Sequence, residues 1–167
     1  MITSIKPIAR TAVLCFVIVP TTVFAELKSE MQAFVVTTDS TGVEQYAAAD
    51  AVKPGQTIEY RMLHTNTFEN AIGGVAILGP VPSGSELIVE KSSSDVSATL
   101  EVRGEFDPDN PGEEWSSLPA QRITIQADGS RLIETAKPEH FTAVRWVLSD
   151  VMQEDASVSH AYRVQVK

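Results

Sequence analysis

The sequence has few of the residues that crosslink a chain or bind metal ions through sulfur and nitrogen. It contains one cysteine and three histidines among 167 residues. One cysteine cannot form an internal disulfide, and it cannot supply a multi-thiolate zinc site. No histidine lies in a His-Glu-x-x-His motif, and no two have the i, i+4 spacing that places two ligands on one helix face. The composition therefore excludes disulfide-stabilised folds and the common zinc motifs.

Basic residues are also scarce. The chain has 13 Lys and Arg residues against 22 Asp and Glu residues, which gives a formal net charge of −9. Phosphate backbones and anionic lipid surfaces repel a protein with this charge. We therefore expect no nucleic-acid partner and no membrane insertion of the mature chain.

Long apolar runs are missing as well. The longest one spans Thr11–Val19, whereas a transmembrane helix needs about 20 apolar residues. Lys6 and Arg10 precede this run, Pro20 follows it, and Val23-Phe24-Ala25 places small residues at a cleavage site. This layout predicts a secretory signal peptide over residues 1–25. We expect an exported bacterial protein, periplasmic or extracellular.

The predicted cleavage before Glu26 changes the chemistry of the chain. It removes Cys15, which does not follow the small residue that a lipidation site requires, so a lipid anchor is not expected. It also removes two basic residues, and the net charge of residues 26–167 falls to −11. The mature chain is predicted to lack cysteine, which excludes thiol catalysis and disulfide exchange.

Residues 26–167 have a hydrophobic period of two rather than 3.6. Ile58, Tyr60 and Met62, for example, alternate with polar residues. Such alternation is typical of antiparallel strands with one buried side and one solvent-facing side. It predicts strands at 57–62, 98–103, 144–148 and 158–166, with shorter candidates at 33–38, 74–78, 87–89 and 123–125. Residues 43–52 are compatible with a helical turn or an edge strand.

Glycine- and proline-containing turns separate these segments. They lie at 39–42, 53–55, 80–84, 108–112 and 128–129, and residues 92–94 are interpreted as a polar connector. Many short strands at this spacing predict a β-sandwich. There is no internal repeat or linker, so residues 26–167 are predicted to form one all-β domain. Trp146 shares its side of a strand with Val144 and Leu148, which predicts a position between the two sheets.

Several motifs also occur in the order and spacing of a known family. They are Pro-Gly-Gln-Thr-Ile-Glu-Tyr at 54–60, Asn66-Thr67, an apolar strand at 75–78 leading into Pro-Val-Pro-Ser-Gly at 80–84, Val-Arg-Trp at 144–146 and Tyr-Arg-Val-Gln-Val at 162–166. Residues 52–166 thereby resemble the conserved-repeat domain of bacterial surface proteins, the domain of unknown function number eleven. The resemblance implies an immunoglobulin-like antiparallel β-sandwich in stalks or adhesion-related modules without a shared catalytic site. This chain departs from the family at Gly79, where an acidic residue is usual, and at 153–155, where Gln-Glu-Asp replaces a Pro-Gly turn.

The sequence contains no recognisable catalytic motif. There is no Gly-x-Ser-x-Gly elbow, and no Gly-Lys-Ser/Thr follows Gly73-Gly74 to make a phosphate loop. His64 and His160 share the parity of apolar neighbours, so we expect them at the buried margin of strands, while His140 is expected in solvent. We predict no catalytic residues and no organic cofactor.

The strongest metal candidate is an acidic loop at 107–114. Its oxygen donors are Asp107, Asp109, Asn110, Glu113 and Glu114. Calcium prefers hard oxygen ligands in a flexible loop, and because the histidines are scattered along the sequence, calcium is the metal we expect here. The alternative is an acidic, solvated hairpin tip with Phe106 and Trp115 at its base.

Two functions are compatible with these observations. The first is a non-catalytic, exported module of the cell envelope with a structural or interaction role and a macromolecular partner. The second is a polysaccharide-active enzyme, or a carbohydrate-binding accessory module, that uses the acidic loops and Trp115. An exposed Trp115 beside carboxylates favours the second function, whereas a Trp115 buried against Phe106 favours the first.

Overall fold

The computed structural model describes residues 27–167, so the predicted signal peptide and its cleavage site lie outside the described residues. Residues 27–167 form strands joined by short loops, with a single turn of 3-10 helix at Pro138–His140. The strands are β1 (Leu27–Thr38), β2 (Glu44–Ala48), β3 (Thr57–Asn66), β4 (Ala76–Pro80), β5 (Ser85–Ser94), β6 (Ala98–Gly104), β7 (Glu114–Ser117), β8 (Gln121–Ile125), β9 (Arg131–Thr135), β10 (Ala143–Leu148) and β11 (Ser157–Val166).

The strands form two larger sheets and one hairpin. The five-stranded sheet has the order β2-β1-β3-β11-β5, the four-stranded sheet has the order β4-β10-β6-β7, and β8 pairs with β9. All of these pairs are antiparallel. The two larger sheets pack face to face as a sandwich, which confirms the predicted all-β class and antiparallel architecture.

The core lies between the two sheets, where alternate residues of each strand point inward. Trp146 of β10 is buried there, with its ring centroid 5.0 Å from that of His160 and 6.1 Å from that of Tyr162, both on β11 of the opposite sheet. The predicted position of Trp146 between the sheets is therefore confirmed. The Tyr162 hydroxyl donates a hydrogen bond of 2.7 Å to the Pro80 carbonyl of β4, which joins the two layers.

Every segment predicted as a strand overlaps an observed strand, although the segment predicted at 74–78 begins two residues before β4, and two other details change. Residues 43–52 contain the edge strand β2 rather than a helical turn. Ser92, Ser93 and Ser94 are not a connector but the end of β5, where Ser93 lies opposite Ala161 after a shift of register. β5 has a neighbour on one side only, so polar side chains remain near solvent without interrupting the strand.

Strand β1 has a free edge over its first half. Residues 27–36 pair with β3, whereas β2 covers only residues 34–38. Leu27 lies opposite Asn66 and Val36 opposite Thr57. On the other side of β3, β11 begins opposite Thr65 and ends opposite Thr57. Strands β1 and β11 therefore flank β3 and run in the same direction.

No helix within residues 27–167 is long and apolar enough to cross a membrane.

Candidate functional site

Four side chains with soft or nitrogen donors lie together on the inner side of the five-stranded sheet. Met62 of β3 lies directly opposite Met31 of β1 and directly opposite His160 of β11. His64 is two residues farther along β3, and its ring centroid is 6.2 Å from that of His160. Opposite residues in an antiparallel pair have Cβ atoms about 5 Å apart on one face. We call Met31, Met62, His64 and His160 the His–Met cluster.

Both imidazoles of the His–Met cluster are buried, and three of their four ring nitrogens have no hydrogen-bond partner among the described residues. His64 is 8% exposed and His160 is 2% exposed. Nδ1 of His64 and both ring nitrogens of His160 have no hydrogen-bond partner among the described residues. Leaving a buried polar atom unpaired costs about 1–3 kcal/mol, so unpaired nitrogens in a packed core need a physical explanation.

Burial also keeps both imidazoles neutral. Desolvation lowers the pKa of His64, and it lowers the pKa of His160 to about 4, with a further contribution from the proximity of His64. The carboxylate of Asp95 acts in the opposite direction on His160. A neutral imidazole carries a lone pair on one ring nitrogen, and that nitrogen can accept a hydrogen bond or bind a metal ion.

Three members of the His–Met cluster, Met31, Met62 and His64, line a groove at the edge of the sandwich. The groove has a volume of about 360 Å³ and runs between the free half of β1 and the edge strand β4. Met31, Met62 and His64 line it on one side, and residues 76–78 of β4 line it on the other. Met31 is 47% exposed and stands at the mouth of the groove.

The sequence analysis placed His64 and His160 correctly on the buried sides of strands but missed their proximity. The interpretation of the histidines as scattered is wrong for these two residues, because β3 and β11 are neighbours in the sheet. The shared parity of Met62, His64 and His160 with apolar residues was a signal in the sequence. It could not indicate proximity, because 96 residues separate the two histidines along the chain. His140 lies in the 3-10 helix, where its Nδ1 accepts a hydrogen bond from the Lys137 N–H.

The structure places a cation of the chain itself on the predicted calcium loop. The carboxylates of Asp107 and Asp109 both bind the guanidinium of Arg131, at the start of β9. The carboxylate of Asp107 also accepts a hydrogen bond from the backbone N–H of Asp109, and the Asp107 carbonyl accepts one from the N–H of Asn110. The loop is therefore held by hydrogen bonds within itself and by one arginine.

The two glutamates of that loop are directed elsewhere. Glu113 binds Arg103 of β6 with a separation of 3.0 Å, and Glu114 begins β7 opposite Gly104. No group of three or more His, Cys, Asp or Glu side chains within residues 27–167 is arranged to hold a metal ion. A calcium ion in this loop would have to displace Arg131, and calcium binding by Asp107, Asp109, Asn110, Glu113 and Glu114 stays a prediction.

The two aromatic residues that flank the acidic loop are in different environments. Phe106 is buried, and its ring centroid is 6.3 Å from that of Phe141. Trp115 of β7 is half-buried on the outer side of the four-stranded sheet. The guanidinium of Arg145 lies 4.4 Å from its ring centroid, and that of Arg103 lies 5.5 Å away. Trp115 is thus neither buried against Phe106 nor an open aromatic surface.

The outer side of the five-stranded sheet carries an ionic cluster. Arg163 of β11 donates to Glu59 of β3 at 2.6 Å and, through both terminal nitrogens, to Glu44 of β2. Arg61 donates to the other oxygen of Glu59 at 2.6 Å, and its guanidinium lies 4.4 Å from the Tyr46 ring centroid. Arg163 and Glu59 are buried although they point away from the core. This cluster holds β2 on the sheet.

The β8–β9 hairpin exposes large apolar side chains. Ile123 lies opposite Ile133, and Ile125 follows on the same side. Ile133 is 63% exposed and Ile125 is 50% exposed, while Leu132 on the other side is 47% exposed. The hairpin joins the rest of the fold through a backbone hydrogen bond of 2.8 Å from the Ile123 N–H to the Phe106 carbonyl, and through the ion pairs of Arg131 with Asp107 and Asp109. Ile125 and Ile133 are therefore exposed on the same side of the hairpin, and contiguous exposed apolar surface is typical of an interaction site.

No protein-family model matches the chain, and neither the curated proteins nor the solved structures contain one that is detectably similar to it.

Proposed function

We propose that this chain is an exported, non-catalytic module of the bacterial cell envelope that binds a protein partner through the β8–β9 hairpin. The observation that carries the proposal is the exposure of Ile125, Leu132 and Ile133 on a two-stranded hairpin. An isolated hairpin of this kind is only marginally stable in water. Exposing large apolar side chains on the hairpin leaves them in contact with water, which is unfavourable, and burial against a partner removes this unfavourable contact.

The chain topology supports the finer assignment to an immunoglobulin-like sandwich. The chain crosses between the two sheets from β3 to β4, from β4 to β5, from β5 to β6 and from β10 to β11. Repeated crossing between two antiparallel sheets is a property of immunoglobulin-like sandwiches. Together with the resemblance of residues 52–166 to the conserved-repeat domain and the predicted signal peptide, it supports a surface or periplasmic module.

The geometry around Trp115 disfavours the carbohydrate-binding alternative. A sugar ring stacks on an aromatic face that is open to solvent, but the guanidinium of Arg145 is positioned over the Trp115 ring. Arg145 is itself held by Glu101, whose carboxylate accepts a hydrogen bond of 2.5 Å from Nε. A sugar would have to break this arrangement before it could stack.

The proposal is tested by photo-crosslinking in cells that export the protein. A photo-crosslinking amino acid at position 133 is expected to give one covalent adduct with an envelope protein. The matched control is position 151, where Val151 is also an exposed β-branched residue but lies outside the hairpin. The control position is expected to give no adduct of the same mass.

A second variant connects the adduct to the apolar side chains. Changing Ile125→Thr and Leu132→Thr together, with the crosslinker still at 133, is expected to abolish the adduct while the melting temperature stays close to that of wild type. The same adduct from positions 133 and 151, or an adduct that survives the double change, would show that the hairpin is not the docking surface.

A further inference from the structure

We propose that the His–Met cluster binds one monovalent soft cation, copper(I), through the imidazoles of His64 and His160 and the thioethers of Met31 and Met62. This site is independent of the hairpin surface and of the acidic loop. It lies inside the sandwich, on the inner side of β1, β3 and β11.

The first argument is that the two imidazoles have buried nitrogens without hydrogen-bond partners. Three of their four ring nitrogens are buried with no hydrogen-bond partner among the described residues. Each of these two buried histidines also excludes water from the other, which adds to the cost of burying their polar atoms. Apolar residues at the two positions would not carry this cost. A metal ion bound to Nδ1 of His64 and to one nitrogen of His160 converts two of these three uncompensated atoms into ligands.

The second argument is the distance between the two rings. A metal ion bonded to an imidazole nitrogen at about 2 Å lies about 3 Å from the ring centre. Two imidazoles on one ion therefore have ring centres about 6 Å apart or less. The measured separation of the His64 and His160 centroids is 6.2 Å, at the upper limit of this range, so the two rings must move closer together for both to bind one ion.

The third argument concerns which metal the donors select. Thioether sulfur binds copper(I) well and binds hard ions such as calcium or magnesium poorly, whereas imidazole accepts copper readily. The nearby carboxylates are engaged elsewhere. Glu30 binds Lys28 at 2.8 Å, and Asp95 accepts a hydrogen bond of 2.8 Å from the Ser159 N–H. The donor set of two nitrogens and two thioether sulfurs therefore favours a soft, monovalent ion.

The fourth argument is access. A site in a packed core needs an entry path for the ion, and the groove of about 360 Å³ between β1 and β4 supplies one. Met31 stands at its mouth on the half of β1 that β2 does not cover. An ion that enters this groove therefore meets Met31, Met62 and His64 first.

The test measures copper(I) affinity by competition. The purified protein is titrated anaerobically with Cu(I) against a chromophoric Cu(I) chelator, and with Ag⁺ in parallel as a redox-inert probe. We expect one equivalent of either ion to bind. Changing Met31→Leu and Met62→Leu together conserves side-chain volume and is expected to weaken the affinity by about 10-fold or more.

The matched control is Met152→Leu. Met152 is also a buried methionine of the core, but it lies outside the cluster, opposite Ile72. This variant is expected to keep the wild-type affinity. Changing His64→Gln and His160→Gln together is expected to abolish binding, with circular dichroism used to verify the fold of each variant.

Resonances of the methionine methyl groups give a readout that does not depend on affinity. Titration with Ag⁺ is expected to shift the methyl signals of Met31 and Met62 and to leave that of Met152 in place. The absence of Cu(I) and Ag⁺ binding would overturn the proposal, and so would binding that the leucine changes at 31 and 62 do not weaken. Zn²⁺ binding as tight as Cu(I) binding would also overturn it, because thioethers would then not be ligands.

Discussion

His160 shows how far the interior of the sandwich changes the chemistry of a single residue. Its imidazole lies between Trp146 and His64, and burial lowers its pKa to about 4 from an ordinary value of 6.5. Between these two pH values, the unfolded chain binds a proton at this position and the folded chain does not. Folding stability therefore decreases as the pH falls from about 6.5 to about 4.

We expect this titration to be visible in denaturant unfolding. Between pH 6.5 and pH 4.5 the loss of stability assigned to His160 is on the order of 2 kcal/mol. The His160→Gln variant is expected to lose less stability over the same interval, as measured by urea midpoints at each pH. The lowered pKa values of Glu44 and Asp39 add a further loss toward the acidic end of the interval, because the unfolded chain begins to protonate these groups near their ordinary pKa values of 4.5 and 3.8. This loss is the same in the wild type and the variant, so the difference between the two profiles isolates His160. If the urea midpoints of the wild type and of His160→Gln fell equally over this interval, the loss of stability could not be assigned to His160.

Arg163 and Arg61 provide a second comparison at the scale of residues. Each donates to Glu59 at 2.6 Å, but the side chain of Arg163 is 10% exposed and that of Arg61 is 46% exposed. Removing one partner of a buried ion pair leaves an uncompensated charge and costs about 3–5 kcal/mol, whereas an exposed pair contributes about 0–1 kcal/mol. The loss of stability on removing either arginine therefore depends on how deeply that arginine is buried, and not on the length of its hydrogen bond to Glu59.

We expect Arg163→Met to destabilise the fold by about 3 kcal/mol and Arg61→Met by about 1 kcal/mol or less. Chemical denaturation of the two variants and the wild type measures both changes. Equal losses would mean that the outer ionic cluster is solvated throughout and does not hold β2 on the sheet.

At the scale of elements, β4 has no space for a side chain at position 79, where the family proposed for residues 52–166 usually has an acidic residue. Gly79 is buried on the inner side of this strand, and a Cβ built at this position would lie 2.5 Å from Cε1 of Tyr162. The acidic side chain that is usual in the family would therefore collide with this ring. The absence of a side chain at Gly79 allows the Tyr162 hydroxyl to reach the Pro80 carbonyl.

The Gly79→Ala variant is accordingly expected to lose about 1–3 kcal/mol, because the Tyr162 ring and β4 must move apart. Gly73→Ala is the matched control, since a Cβ there meets only Val151 Cγ1 at an ordinary 3.4 Å. The control is expected to stay within about 0.5 kcal/mol of wild type. Thermal unfolding of the two variants measures both changes. A Gly79→Ala protein as stable as the control would refute the close packing of β4 against Tyr162.

The strands that the sequence predicted are those that bury one side. Strands β3, β6, β10 and β11 alternate clearly, because each packs its inner residues against the opposite sheet. Strand β9 was missed, since Leu132 and Ile133 are consecutive and both exposed, which leaves no alternation to detect. Alternation of apolar and polar residues arises when one side of a strand is buried, so a strand without a buried side does not show it.

The candidate site was predictable only in part for a related reason. The parity of His64 and His160 indicated that both histidines point inward. Their proximity depends on the pairing of β3 with β11, a contact between segments far apart in the chain, and sequence periodicity carries no information about such pairing. The partner of Asp107 and Asp109 was missed in the same way, because Arg131 reaches the loop from β9.

At the scale of the whole molecule, the predicted export signal determines which chain carries out the function. Cleavage between Ala25 and Glu26 would leave residues 26–167, with strand β1 starting one residue after the new N-terminus. Intact-mass measurement of the exported protein is expected to give the mass of residues 26–167. A species that retains Met1 to Ala25, or one that carries lipid on Cys15, would refute this cleavage.

The arrangement of β1, β3 and β11 has a mechanical consequence when force acts on the two ends of the domain. The first residue of β1 and the last residues of β11 lie at opposite ends of β3, since Leu27 pairs with Asn66 and Gln165 with Thr57. A pulling force applied to the two ends of the domain therefore loads the hydrogen bonds of both strand pairs in shear, all at once, rather than opening them one by one. Such a domain resists extension until many bonds break together, and its lifetime under tension depends on the rate of unfolding rather than on its equilibrium stability.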